Sequence, residues 1–377
     1  MSMKRQTVQK GFTLIEVMVA IVIGTILSAA AIALLVNSKS TYEVQDDLAR
    51  LQENARFAME MLMRDIRMAG YFGCVDSISE VTNHVVGNDS SLFDTRFPID
   101  AVDHGDYSQW YPSGLTIDLP TTITSVTPNI DVVGGTDMIS LRYMVPDTSI
   151  TVEEPYAVQP SGALKVTAGA DLEIGEIIAV TDCDKADIFQ ITNLQTTGSQ
   201  SNVVHNTGAG SPGNFNNGVP GCPGANSHCF SKTYKENAFI MKLTSVRYFI
   251  GEGDNGPSLY RIGLARDPST NALTYIGNEM VEGIEQLQLT YGLDTDGDDV
   301  PDVYRTAQDV ETGGGNWLDV RAVRIGLVAR TIDPMGTATD DFGPALIDIN
   351  DLPNVAVPND RRRRRVFTAT VQLRNPQ

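Results

Sequence analysis

KGFTLIEVMVAIVIGTILSAAAIALLV, Lys10 to Val36, decides the architecture. From Phe12 onward this stretch holds 25 residues with one ionisable side chain, Glu16. At a rise of about 1.5 Å per residue, it exceeds the roughly 20 residues needed to cross a bilayer's hydrocarbon core. Lys4, Arg5 and Lys10 precede it with no acid among them. The positive-inside tendency therefore keeps the N-terminus cytoplasmic and sends everything after Val36 to the far side. A removable secretory signal would have a shorter apolar part ending at an A-x-A-like site, for which the small residues Ser28 to Ala31 are a poor substitute. Neither a signal nor a plain anchor explains Glu16, because a carboxylate inside an apolar run costs on the order of 2.5–3.5 kcal/mol and calls for a cationic partner. A cut between Gly11 and Phe12 would create one, the new α-amine four positions before Glu16.

Outward from Val36 the pattern changes. Leu48, Leu51, Ala55, Ala58, Leu62, Ile66 and Ala69 recur at spacings of three and four, one helical face, while Asp46, Asp47, Arg50, Glu53, Arg56, Glu60, Arg64, Asp65 and Arg67 take most of the remainder. No proline lies between Phe12 and Ala69, and Gly70 suits a C-terminal cap. One helix is predicted, apolar all round over 12–36 and one-striped over 37–70, the second part serving as a spine for a head, 71–377. Met59, Met61, Met63 and Met68 are read as core packing.

Past Cys74 the helical signal gives way to β-branched or alternating runs bounded by Gly, Pro, Asn and Asp: 138–145, 174–181, 189–192, 240–250, 259–264, 284–291, 320–330 and 366–373. In the last, Phe367, Ala369, Val371 and Leu373 share a face opposite Thr368, Thr370 and Gln372, as in an antiparallel strand buried on one side. The fold class is α+β, a long N-terminal helix packed on a mostly antiparallel head. Between 196 and 229, Gly, Asn and Ser dominate without periodicity, which predicts an exposed flexible loop. Its Gly208 to Gly213 spells G-x-G-x-x-G, but no strand leads in and no helix follows, so a dinucleotide site is rejected.

Cys74, Cys183, Cys222 and Cys229 all fall beyond the span, where oxidation is the default, so two disulfides are expected in one of three connectivities. A zinc site at His228 and Cys229 lacks ligand spacing. Asp294, Asp296, Asp298, Asp299 and Asp302 crowd one turn. Alternate carboxylates suit a hard cation such as Ca2+, with Asp294, Asp296, Asp298 and Asp302 as ligands, but the EF-hand glycine and final glutamate are missing. The competing reading is a solvated hairpin turn at Asp296-Gly297. Arg361 to Arg365 is the one dense basic run, read as pairing with acidic neighbours rather than with DNA.

The 377 residues carry 47 acids against 28 bases, net −19, which makes bulk nucleic acid an unfavourable partner. The isolated histidines His84, His104, His205 and His228, and the lack of H-E-x-x-H, P-loop or G-x-S-x-G motifs, predict no enzyme and no required cofactor, with Ca2+ as the optional ligand.

Lys10-Gly11 followed by Phe12-Thr13-Leu14-Ile15-Glu16-Val17 resembles the type III signal of type IV prepilins and type II secretion pseudopilins. The resemblance implies that a prepilin peptidase cuts after Gly11 and methylates Phe12, the helix being retained, and that Glu16 pairs with the Phe12 amine of a neighbouring subunit. Further blocks, Arg67 to Cys74, Val180 to Cys183 with Ile188-Phe189-Gln190, Gln288 to Gly292, and Arg365 to Asn375, resemble PilW-family minor pilins. That family resemblance favours a Cys74–Cys183 pairing. It implies a minor pilin that helps to prime and assemble a type IV pilus near its tip, with other minor pilins, a tip adhesin, the major pilin, the prepilin peptidase and inner-membrane lipid as partners. The head would be periplasmic before assembly and reach the pilus tip after it. A J-type pseudopilin of type II secretion, similar in the first and last blocks, is the alternative. A surface adhesion or DNA-binding module is the third reading.

Overall fold

The computed structural model describes residues 13–75, 77–85, 94–102, 122–123, 130–157, 162–167, 171–198, 200–207, 213–215, 228–266, 273–335, 346–349, 352–356 and 360–374. The apolar run and the one-striped segment form a single helix, Leu14–Met68, of 55 residues. It ends as the glycine signal requires. Gly70 takes φ 78°, in the left-handed region, and its N–H donates to the Arg142 carbonyl at 3.0 Å. Gly73, φ 92°, then turns the chain where an added Cβ would meet the Met241 Cε at 2.8 Å.

Two compact units, Met1–Arg50 and Leu51–Gln377, divide the chain inside this helix. In the first, apolar side chains from Leu14 to Val36 are exposed, and Lys39–Glu43 and Asp46–Arg50 pair at i,i+4. The second unit is mostly antiparallel sheet. Its largest sheet centres on the strand Phe239–Gly253, which pairs along one edge with Met138–Thr151. Along the other edge its start pairs with Ile177–Thr181, and its later part pairs with Gly256–Arg266. Ile177–Thr181 continues to Ala186–Gln190, which takes Val81–Asn83 as a parallel neighbour.

That central strand feeds three buried clusters, of which two are large and the third, around Phe72, Met144, Ile188 and Met241, is small. In the first, Leu51, Ala55, Ala58, Met59, Leu62, Ile66 and Ala69 of the helix pack with Ile139, Tyr248, Leu287, Ile325 and Val371. The partners come from the large sheet and from a four-stranded sheet ordered Val303–Arg305, Ile284–Leu293, Val320–Arg330 and Arg364–Gln372. Val371 is buried, and Phe367, Ala369 and Leu373 pack against this core, so the final strand turns the predicted face inward.

The second core gathers Val152, Leu164, Val166, Ile178, Val180, Phe189, Val203, Phe230 and Tyr234. It lies under a three-stranded sheet, Leu164–Thr167, Gln200–Val204 and Asn193–Thr197.

Three expectations are corrected. The 196–229 segment is not wholly a loop, because Asn193–Thr197 and Gln200–Val204 form a hairpin and Val203 is buried. Period-two burial in Gln-Ser-Asn-Val-Val was masked by the polar residues at its start. The head also holds a short helix, Ala307–Thr312, N-capped by Thr306. Asp65, read as part of the charged face, is buried at 1% exposure.

Candidate functional site

The helix N-terminus is organised by its own residues. Glu16 Oε2 accepts from the Thr13 N–H at 3.0 Å and the Thr13 hydroxyl at 2.9 Å, while the Glu16 N–H donates back to Thr13 Oγ1 at 3.4 Å. This is the reciprocal T-x-x-E capping arrangement, for which Thr13 and Glu16 are the local sequence signal. Glu16, Leu14 and Ile15 are exposed; the processing residues Gly11 and Phe12 lie outside the described residues. Leu14–Met68 is the helix, among the described residues, that is long and apolar enough to cross a membrane.

Within the head, the helix presents a second surface. Glu53, Arg56, Glu60 and Met63 border a groove of about 570 Å3, with Arg365, Phe367 and Thr368 of the final strand on the other side. Arg56 Nε reaches Glu60 at 2.8 Å across one helical turn, and Phe57 beside it is half exposed. On the opposite face, Asp65 pins the helix to the sheet. The Tyr248 hydroxyl donates to its Oδ2 at 2.7 Å, and Arg261 stands 3.7 Å away. Burial first, then the Asp65 charge and hydrogen bond, push the Tyr143 phenol up to about 12.

The acidic loop joins Ile284–Leu293 to Val303–Arg305 as a hairpin connection with Gly297 at φ 85°. One oxygen from each of Asp294, Asp296 and Asp302 lies within 4.8 Å of the others. Asp298 is not in that group and instead accepts the Val300 N–H at 2.9 Å. The carboxylates are mostly engaged within the loop. Asp294 accepts the N–H groups of Gly297 (2.7 Å) and Asp299 (3.0 Å) and faces Arg321 at 3.4 Å. Asp302 accepts the Thr295 N–H and hydroxyl at 2.8 and 2.6 Å. Thr295 thereby holds Asp302 below the usual range, while the charges of Asp298 and Asp302 push Asp296 up. Arg321 adds a cationic partner on the Asp294 side of the loop.

The arginine run is drawn into the fold. Arg364 forks onto Glu285 at 2.5 and 2.9 Å and onto Asp360 at 2.8 and 3.0 Å; Arg362 reaches Asp360 at 3.2 Å. Arg365 lies over the Phe367 ring at 5.7 Å. Cys74 and Cys183 form a disulfide across 109 residues. Cys229 is also disulfide-bonded, which removes it as a metal ligand; Cys222 lies outside the described residues. The histidines read as isolated are not: His84, His205 and His228 stand together in the second core. No local signal shows this, since strand pairing brings them together from distant parts of the chain.

Comparison with known families matches both ends of the chain. Residues 247–375 match the model of the Type IV Pilus-assembly protein W family, PilW, and residues 7–32 match the Prokaryotic N-terminal methylation motif. The first match takes in the four-stranded sheet and the groove's strand side; the histidine-bearing core lies mostly before it. No curated protein and no solved structure matches the chain.

Proposed function

From the premise that this chain is a PilW-family, type IV pilin-like protein, we propose that it is a minor pilin that helps to prime and assemble the pilus near its tip. The observation that carries the reading is one helix with two kinds of surface. Its N-terminal part exposes apolar side chains around a single carboxylate, and its part from Leu51 is built into the head's core. Such a helix anchors the head to a bilayer and later offers the same apolar surface to neighbouring helices. Cleavage after Gly11 would give Glu16 the α-amine of an adjacent subunit, in exchange for the Thr13 contacts it now makes.

In this reading the protein performs no catalysis, needs no cofactor, and works through other minor pilins, a tip adhesin and the major pilin. It resides in the inner membrane with a periplasmic head before assembly. The test is mass spectrometry of the N-terminus from cell envelopes and sheared pili, alongside piliation of a strain carrying Glu16→Ala. A methylated Phe12 terminus, sparse recovery in pili and loss of piliation are expected. An intact Gly11-Phe12 junction in functioning filaments would overturn the proposal. Recovery only with a secretion apparatus would select the J-type pseudopilin.

A further inference from the structure

Three buried histidines stand in a row in the second core, the first of them on a buried carboxylate. His84, at the end of Val81–Asn83, places Nε2 2.5 Å from Asp187 Oδ1. Asp187 is buried in Ala186–Gln190 and is already saturated with donors. Its Oδ2 accepts the Ser231 hydroxyl and the Tyr234 hydroxyl, each at 2.6 Å, and the Ser231 N–H lies 3.0 Å from Oδ1. His228 stands edge-on to His84, ring centroids 4.6 Å apart, and on its other side meets His205 Nδ1 to Nδ1 at 2.5 Å. His205 Nε2 is 3.1 Å from the Gly162 carbonyl. Phe189 and Phe230 close over His205, and Lys232, next to Ser231, is engaged by Asp182 and Asp184.

These contacts fix the protons. A carbonyl only accepts, so His205 Nε2 carries hydrogen and its neutral ring accepts at Nδ1. His228 must then donate from Nδ1, which leaves a lone pair on Nε2, and that atom is buried without a partner. The row thus holds one proton between His205 and His228. A further proton on this pair has two places to go. On His205 Nδ1 it sets N–H against N–H. On His228 Nε2 it puts a positive charge where nothing accepts it, beside His84, with the Asp187 carboxylate already engaged. Release is the alternative, and both rings sit on the segment that can supply it. His205 follows Gln200–Val204, and His228 leads into Phe230, Ser231 and Tyr234.

We propose that the His84–His228–His205 row is an acid-sensitive latch that holds the 228–234 segment and the end of Gln200–Val204 onto the second core, and that lets go on acidification while the helix-backed core stays closed. Among the described residues, the groups facing the row include Asp187, Ser231, Tyr234 and the Gly162 carbonyl, with Lys232, Asp182 and Asp184 close by. Burial, with the charge on His84 adding to it, pushes His205 down to about 4; burial and the charges of His84 and His205 push His228 down to about 2. Histidines depressed below their unfolded value of about 6.5 give full stability above that pH and lose it progressively as pH falls.

Hydroxyl-radical footprinting of the full chain in detergent, at about pH 7.5 and about pH 4.5, tests this. Phe230 and Tyr234 should gain oxidation roughly fivefold or more at the lower pH, reversibly, while Tyr291 and Trp317 of the first core stay protected. His228→Phe, which keeps a ring but takes no proton, should abolish the gain. Continued protection of Phe230 and Tyr234 in acid would overturn the latch, as would parallel oxidation of Trp317 or an undiminished response in the variant. Should His228→Phe expose Tyr234 already at neutral pH, the wild-type contrast between Tyr234 and Trp317 decides.

Discussion

The head's two larger cores solve the same packing problem with different chemistry. The helix-backed core is broad and mainly aliphatic, and the buried Asp65 beneath the helix is matched by the Tyr248 hydroxyl. The second core is smaller and surrounds an aromatic and imidazole cluster whose polar atoms depend on a short run of loop residues, Ser231 to Tyr234. Burial of aliphatic area is insensitive to protons and forgiving of small shifts; a buried polar row needs every member in place. The first core therefore suits a permanent mount for the helix, and the second suits a part that responds.

The sharpest way to break this contrast is to cut the covalent tie. Cys74, just beyond the helix, is bonded to Cys183 in the turn between Ile177–Thr181 and Ala186–Gln190, closing a loop of 109 residues. Loops of that order carry roughly 4 kcal/mol of stabilisation through the unfolded chain. Cys74→Ser with Cys183→Ser should lower stability by about that amount in denaturant unfolding. Hydrogen exchange should show Ile177–Gln190 losing protection before Val320–Arg330. Simultaneous loss in both would mean that the head has one cooperative core.

Next in size is the mount itself. Leu62 is fully buried between the helix and the sheets, and Leu62→Ala should cost about 3 kcal/mol by lost transfer and residual cavity. Here exchange should be lost first in Val320–Arg330, with Tyr234 still protected, the reverse of the disulfide result. Asp65→Asn should cost less, about 2 kcal/mol, because the amide still offers an oxygen to Tyr248 while the charge facing Arg261 is gone. A neutral outcome would show that Asp65 is merely tolerated.

What the sequence disclosed follows the same division. The stripe Leu51 to Ala69 and the closing Gly70 are local patterns, and the helix, its buried face and its end follow from them. The acidic turn and the arginine run are local too: the turn is a hairpin connection in which Asp294 accepts from Gly297 three residues on, and Arg362 pairs with Asp360 two residues before it. Asp65 escaped because a helical wheel built from hydrophobicity assigns every aspartate to the wet side, whereas the Tyr248 hydroxyl and Arg261, both from the sheet, stabilise it where it is buried. The histidine row escaped for a topological reason. His84 reaches Asp187 because Val81–Asn83 pairs in parallel with Ala186–Gln190, and no spacing within either segment announces a parallel pairing. The polar strand Gln200–Val204 hid behind its composition in the same way.

The smallest expected effect is also the most discriminating, because it separates the cores by pH alone. Burial on its own would raise the Asp360 carboxyl, but hydrogen bonds from Arg364 and Arg362 outweigh it and hold the group well below the usual range. A carboxylate depressed in the folded state contributes its full stability above its unfolded value of about 3.8 and loses that stability as pH falls below it. Asp360 and Arg364 belong to the strand end that joins the four-stranded sheet, so the Asp360 contribution is lost only below about pH 4, whereas the histidine core begins to yield below about 6.5. Asp360→Asn should cost about 1 kcal/mol at neutral pH, since the group is partly exposed, and should flatten the stability profile below about pH 4 while leaving the upper window unchanged. If the variant instead alters the upper window, the two cores share their protons and the division between mount and latch fails.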